Sequence, residues 1–239
     1  MKNLNFILAL FAITLFSYQS IEAQSVTGKG SVVTETVDME DISGIGLGIS
    51  AKVFIQQGSK QKIEIKGQKN IIDLIKKKPN GDSWNIEFPN NSRVRNYEPI
   101  EVYVTLTKLE ALSIGGSGSI IGKGKFTKVD DFDISIGGSG DIIVEVEADE
   151  ISCSIGGSGE VGLSGTAEEL AISIGGSGDV KAIDLSVKKC KVSSAGSGNV
   201  AITVSENLEV SLVGSGDVKY KGNPKIKTSI VGSGDVEPY

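Results

Sequence analysis

Seven Gly-Ser-Gly triplets, starting at Gly116, Gly138, Gly157, Gly176, Gly196, Gly214 and Gly232, each run into a polar residue: Ser119, Asp141, Glu160, Asp179, Asn199, Asp217 and Asp235. Three chemistries use such parts. A ladder of carboxylates can hold Ca²⁺, which takes about six to eight oxygen ligands. A glycine-rich loop can cradle a phosphate with its backbone N–H groups. A pair of carboxylates can do acid–base work on a glycosidic bond.

Each chemistry meets an obstacle in the spacing. The calcium β-roll repeat G-G-x-G-x-D-x-U-x places its acid one residue further from the last glycine, and it recurs twice per coil. Here the polar residue follows the last glycine directly, and two of the seven are Ser119 and Asn199. No metal site is expected. The phosphate-loop pattern G-x-x-x-x-G-K-[ST] is missing from the sequence, and each triplet leads into a strand pattern instead of a helix N-terminus. Asp141, Glu160 and Asp179 recur at one place in every repeat, which a structural role explains; a unique carboxylate pair would mark catalysis. The chain has no histidine, so Ser-His and Cys-His nucleophiles and His-ligated metals are excluded. No catalytic residue and no cofactor is assigned, and no enzyme is expected. Asp, Asn and Ser after a turn bond local backbone groups, which is the reading preferred for this position.

The elements that carry the triplets follow from their period. The intervals run from 18 to 22 residues, the mark of a solenoid. Two residues before each triplet stand Ile114, Ile136, Ile155, Ile174, Ser194, Leu212 and Ile230. Four before stand Leu112, Ile134, Cys153, Ile172, Val192, Val210 and Thr228. Serine lies between these columns every time, from Ser113 to Ser229. Alternation with period two means strands, with the apolar columns inward and the serines facing water. Coils stacked about 4.8 Å apart would pair in parallel. Glycine suits the corner on two counts: it adopts φ > 0 without steric cost, and it lets one corner nest on the next. The expected fold is an all-β parallel β-helix with 18–22 residues per coil.

Cys153 and Cys190 both fall on the inward face, two coils apart. A vertical gap of about 9–10 Å exceeds the Cα spacing that a disulfide spans, so two buried free thiols are predicted and no disulfide.

Residues before the first triplet alternate in "AKVFIQQGSKQKIEIKG", "SWNIEF" and "IEVYVTL". "NIIDLIKKK" carries Ile71, Ile72, Leu74 and Ile75 at helical spacing and stops at Pro79. These strands and one short helix read either as early coils or as a cap, which a solenoid needs to cover its open edge. At the other end, Glu237 and Pro238 are expected to close the last coil. The loop Pro89–Pro99 holds both arginines, Arg93 and Arg95, beside Tyr97 and near Trp84. Such a loop can hold an anion or a sugar, although a solvated loop is the simpler reading.

With 24 Lys and Arg against 30 Asp and Glu, the net charge is −6, which disfavours a nucleic-acid partner. Lys2, the apolar run Phe6–Phe16 and Ala23–Gln24 read as a cleavable export signal over 1–23. The run is too short to span a bilayer, which takes about 20 residues. Residues 24–41 form an N-terminal segment, and the solenoid domain is placed at 42–236, with its repeats over 109–236.

"VFIQQG", "IEIKG", "VYVTL" and the closing "GSGDVKYKGNPKIKTSIVGSGDV" together resemble the family described as "putative auto-transporter adhesin, head GIN domain", over residues 42–236. The resemblance implies a right-handed parallel β-helix, the hand also favoured for parallel crossovers, in an exported protein of Gram-negative bacteria. It implies an adhesin and no catalytic residues. No stretch beyond the last triplet reads as a translocating barrel, so the auto-transporter half of the description is not expected to apply. The reading is a non-enzymatic exported scaffold, in the periplasm or at the cell surface, binding a glycan or an envelope protein. A polysaccharide-active β-helix enzyme and a calcium-binding roll are the alternatives.

Overall fold

Alternating residues became strands almost throughout. The computed structural model describes residues 25–90 and 92–239; the predicted export signal lies outside them. The first part carries β1 (Ser25–Thr27), β2 (Val32–Val37), β3 (Gly44–Leu47), β4 (Lys52–Gln57), β5 (Lys62–Gln68), a one-turn helix α1 (Lys69–Ile72), β6 (Ser83–Ile86), β7 (Arg93–Arg95), β8 (Glu101–Leu106) and β9 (Ala111–Ile114). The repeat follows as β10 (Ser119–Ile136), β11 (Asp141–Ile155), β12 (Glu160–Ile174), β13 (Asp179–Gly196), β14 (Val200–Gly214), β15 (Val218–Lys221), β16 (Lys225–Gly232) and β17 (Val236–Pro238).

The repeat strands pair in parallel, and the predicted columns are in register. Ile114, Ile136, Ile155, Ile174, Ser194, Leu212 and Ile230 stack one on the next. From Ile114 to Leu212 they are buried. One position breaks the apolar rule: the Ser194 hydroxyl is buried without a hydrogen-bond partner. Cys153 pairs with Ile172, and Cys190 pairs with Leu170, so the cysteines differ by two coils and by one inward column. Both are free and buried, and burial pushes each thiol up to about 12.

The N-terminal region is both coil and cap. β3 lies between β6 and β9, and β4 lies between β8 and β10. Residues 44–57 therefore form a second layer, and the later residues 83–106 form the layer outside it. β5 then adds antiparallel to β8 and β2 antiparallel to β5, and α1 folds over that end. The helix is shorter than the spacing of Leu74 and Ile75 predicts. After Ile72 the chain tightens into i→i−3 bonds, Leu74 N–H to Ile71 O and Ile75 N–H to Ile72 O, each 3.1 Å, a tighter turn that ends the helix. Its apolar residues still reach the core: Ile71, Ile72, Ile75 and Trp84 are all buried.

The other end is not closed in the way expected of Glu237 and Pro238. Those residues lie on β17, alongside β15, and leave β16 uncovered. Ile226 and Ile230 continue the inward columns, yet are 43% and 40% exposed. The physical reason is that β16 is the last layer on its side of the stack among the described residues, so its core-facing residues rest on β14 from one side and no further coil covers the other.

Candidate functional site

The corners show why the triplet recurs. A Cβ on Gly138 would lie 2.2 Å from the Gly116 carbonyl oxygen, one on Gly157 2.0 Å from that of Gly138, and one on Gly176 2.4 Å from that of Gly157. Close nesting is thus the general reason for glycine. Positive φ is a local one: Gly214 and Gly232 have φ of 131° and 134°, but Gly116, Gly138, Gly157 and Gly176 are not among the positive-φ residues. The glycine just before each triplet is under no such pressure, and its column changes to Ala195, Val213 and Val231 in the last coils.

The polar residue after each triplet has a structural task in the upper coils. Asp179 Oδ1 accepts from the backbone N–H of Asn199 (2.8 Å) and from its side-chain amide (3.0 Å). Asn199 Oδ1 accepts from Asp217 N–H (3.2 Å), and Asp217 Oδ1 from Asp235 N–H (3.0 Å). In the lower coils the same N–H finds a carbonyl instead, Asp141 to Gly118 O and Glu160 to Gly140 O. Glu160 is bridged by Lys181 at 2.5 Å. Among the described residues no group of three or more Asp, Glu or Cys side chains is arranged to hold a metal ion.

The predicted loop reaches this ladder through Tyr97 and Pro99. A cleft of about 400 Å³ is lined by Ser50, Lys52, Tyr97, Pro99, Ser119 and Asp141, among others. Arg93 and Arg95 instead lie on β7, which pairs with β1, and neither lines the cleft. Trp84 is a core residue of the capped end, its Nε1–H donating to Lys76 O at 2.7 Å.

A neighbouring surface was not singled out from the sequence. On the outward face of β8, β4, β10 and β11, Tyr103, Phe54, Ile121 and Ile143 stand side by side in register. Tyr103 and Ile143 are 40% and 50% exposed. The Tyr103 and Phe54 rings stack at 5.2 Å with an interplanar angle of 24°, and Lys123 Nζ lies 4.8 Å from the Phe54 ring centroid. Tyr103 is held in place: its hydroxyl donates to Glu101 Oε2 at 2.9 Å, and Lys66 Nζ donates to the same oxygen at 2.9 Å. The Lys66 ammonium, then the Tyr103 hydroxyl, hold the Glu101 carboxyl below its ordinary value, while the bond to Glu101 raises the Tyr103 phenol. A groove of about 230 Å³ runs along the rings, edged by Gln56, Lys62, Glu64 and Thr105. Lys52, which lines the cleft, is the register partner of Glu101 on one side and of Ser119 on the other. The signal in the sequence was an aromatic or aliphatic residue at outward positions, where alternation calls for a polar one.

The arrangement is a platform: apolar rings and aliphatic side chains flanked by hydroxyl, amide, ammonium and carboxylate groups. Comparison with known proteins agrees with the fold. The profile described as "Putative auto-transporter adhesin, head GIN domain" matches residues 41–224. No curated protein matches. Solved structures are similar to this chain over 90% of its length. One, described as a putative adhesin from Bacteroides fragilis, is 24% identical, is covered over 100% of its own length and has a TM-score of 0.83. A putative adhesin from Parabacteroides merdae is 24% identical, covered over 99%, with a TM-score of 0.72. A protein of Parabacteroides distasonis described as a putative lipid binding protein is 24% identical, covered over 100%, with a TM-score of 0.70.

Proposed function

The chain belongs to the "putative auto-transporter adhesin, head GIN domain" family, and from that premise we propose that it is an exported, non-catalytic scaffold that binds a glycan at the cell surface. The observation that carries this reading is the Tyr103–Phe54–Ile121–Ile143 strip. A pyranose ring has apolar C–H faces and a rim of hydroxyls. Rings and aliphatic groups receive the faces, and flanking polar groups receive the rim, as small-molecule sites generally do. Rigidity supports the same reading, because a stack of parallel coils holds the strip without an ordering cost on binding.

Export belongs to this reading, with residues 1–23 as the segment removed. Among the described residues no helix is long and apolar enough to cross a membrane. The corner carboxylates support a non-catalytic role, because Asp179 and Asp217 serve the backbone of the coil above and Glu160 is bridged by Lys181. Protease shaving of intact source cells tests the location, with a periplasmic protein as control. The chain is expected to be cut while the control survives. Protection until the outer membrane is opened would refute a cell-surface role.

A further inference from the structure

The two ends of the solenoid differ. At the first, α1, β2 and β5 cover the stack, and Ile71, Ile72, Trp84 and Ile86 are buried. At the last, β16 ends the stack with all eight of its residues exposed. We propose that β16 is an interface between two copies of this chain, which pair antiparallel across a two-fold axis at Thr228.

The phase of the backbone supports this pairing. Ser233 N–H points back into the stack, donating to Gly214 O at 2.9 Å. Lower in the stack, Asp133 N–H donates to Glu110 O and Gly156 N–H to Ile136 O. Lys227 continues the column of Asp133, so Lys227, Ser229 and Val231 turn their N–H groups toward β14. Successive residues of a strand point alternately. Ile226, Thr228 and Ile230 therefore turn theirs to the open edge, and the same three residues face the core. Pairing Thr228 with its symmetry mate places Ile226 opposite Ile230 and Ile230 opposite Ile226. All three become hydrogen-bonded antiparallel pairs, and the apolar columns run on through the axis into the second copy.

Charge selects this register over its neighbours. With the axis at Thr228, Lys227 faces Ser229 and Lys225 faces Val231, so no lysine opposes a lysine. Moving the axis to Lys227 would set that residue against itself, a like-charge pair that destabilises a sheet. Moving the axis to Ser229 puts Gly232 opposite Ile226 and loses that contact. The other half of the edge is blunted, because Pro238 on β17 has no N–H to offer. The covered first end prevents head-to-tail stacking, so the contact closes as a dimer and does not grow into a fibre.

Sedimentation of the purified chain tests the proposal. Wild type is expected to form a dimer with a Kd of about 10 μM or tighter. Thr228→Pro removes an N–H only from the open edge and should give a monomer with unchanged far-ultraviolet circular dichroism. Ser229→Lys sets a lysine against Lys227 of the second copy, and should weaken the dimer at least about tenfold. Adding Lys227→Glu to it should restore the dimer. This charge pair keeps the test intact if the proline variant does not fold. A monomer at all concentrations up to about 100 μM, or a dimer that neither Thr228→Pro nor Ser229→Lys weakens, would overturn the proposal.

Discussion

Gly157 rests on the carbonyl oxygen of Gly138, so closely that a methyl group at position 157 would lie 2.0 Å from it. Gly156, one residue earlier, meets only Ile136 O, at 4.0 Å. Two adjacent glycines of one corner thus carry opposite tolerances. Gly157→Ala should cost on the order of 3 kcal/mol, because backbone must move on both coils. Gly156→Ala should change stability by less than about 0.5 kcal/mol. Urea unfolding of the two variants measures both. Equal costs would remove close nesting as the reason for the triplet.

The Asp ladder makes a second contrast. Asp217 accepts the N–H of Asp235, and Asn199 does the same for Asp217 one coil below. Asp217→Asn keeps an acceptor oxygen and should be close to neutral. Asp217→Ala strands the N–H of Asp235 and should cost about 1 kcal/mol. Melting curves with added Ca²⁺ complete the test, since a ladder that serves the backbone predicts no shift in Tm. A calcium-dependent rise that Asp217→Ala abolishes would reinstate the β-roll reading.

Acid should weaken the fold through the exposed ion pairs. Lys66, then Tyr103, hold Glu101 below its ordinary value of 4.5, and Lys77, then Lys69, do so for Glu35. With the folded-state pKa depressed, the unfolded chain takes up protons first as the pH falls. The contribution of these pairs is complete above pH 4.5 and is lost as the pH drops below it, through the folded-state values. Tm measured from pH 7 to pH 3 should fall at the acid end, and Glu101→Gln should flatten part of that fall. A profile identical to wild type in that variant would show that the Glu101 pair contributes nothing.

Ser194 is the one inward residue of its column without an apolar side chain. Its hydroxyl is buried without a partner, between Ile174 and Leu212. Ser194→Val should stabilise by about 1 kcal/mol, by removing an unsatisfied polar group and adding apolar burial. Guanidinium unfolding checks this, and a loss of stability would mean that the site is too tight for the added methyl groups.

Much of the stack was legible because a solenoid repeats its physics. Serine between two apolar columns fixes which face is inward, and the period fixes the register, so Cys153 and Cys190 could be placed two coils apart. The N-terminal layers were harder. "GIGLGIS" makes the corner below Gly116 without a Gly-Ser-Gly triplet, and the layer beneath it comes from residues 83–106, later in the chain. No local pattern encodes such a crossing. Of the candidate site residues, Tyr97 and Asp141 meet in the cleft, while Arg93, Arg95 and Trp84 do not. Proximity along the loop said nothing about direction. The Tyr103 strip is assembled from four strands in different layers, so it shows only once the register of β8, β4, β10 and β11 is known.

Binding is the most direct test of the account. Purified wild type, Tyr103→Ala and Ile143→Ser are applied to an array of neutral and uronic-acid oligosaccharides, and the bound glycan is then sized. The account predicts that wild type holds at least one glycan, that both substitutions weaken it at least about tenfold, and that the glycan is recovered at its original length. A glycan that is shortened, or one that is bound equally well by both variants, would contradict it.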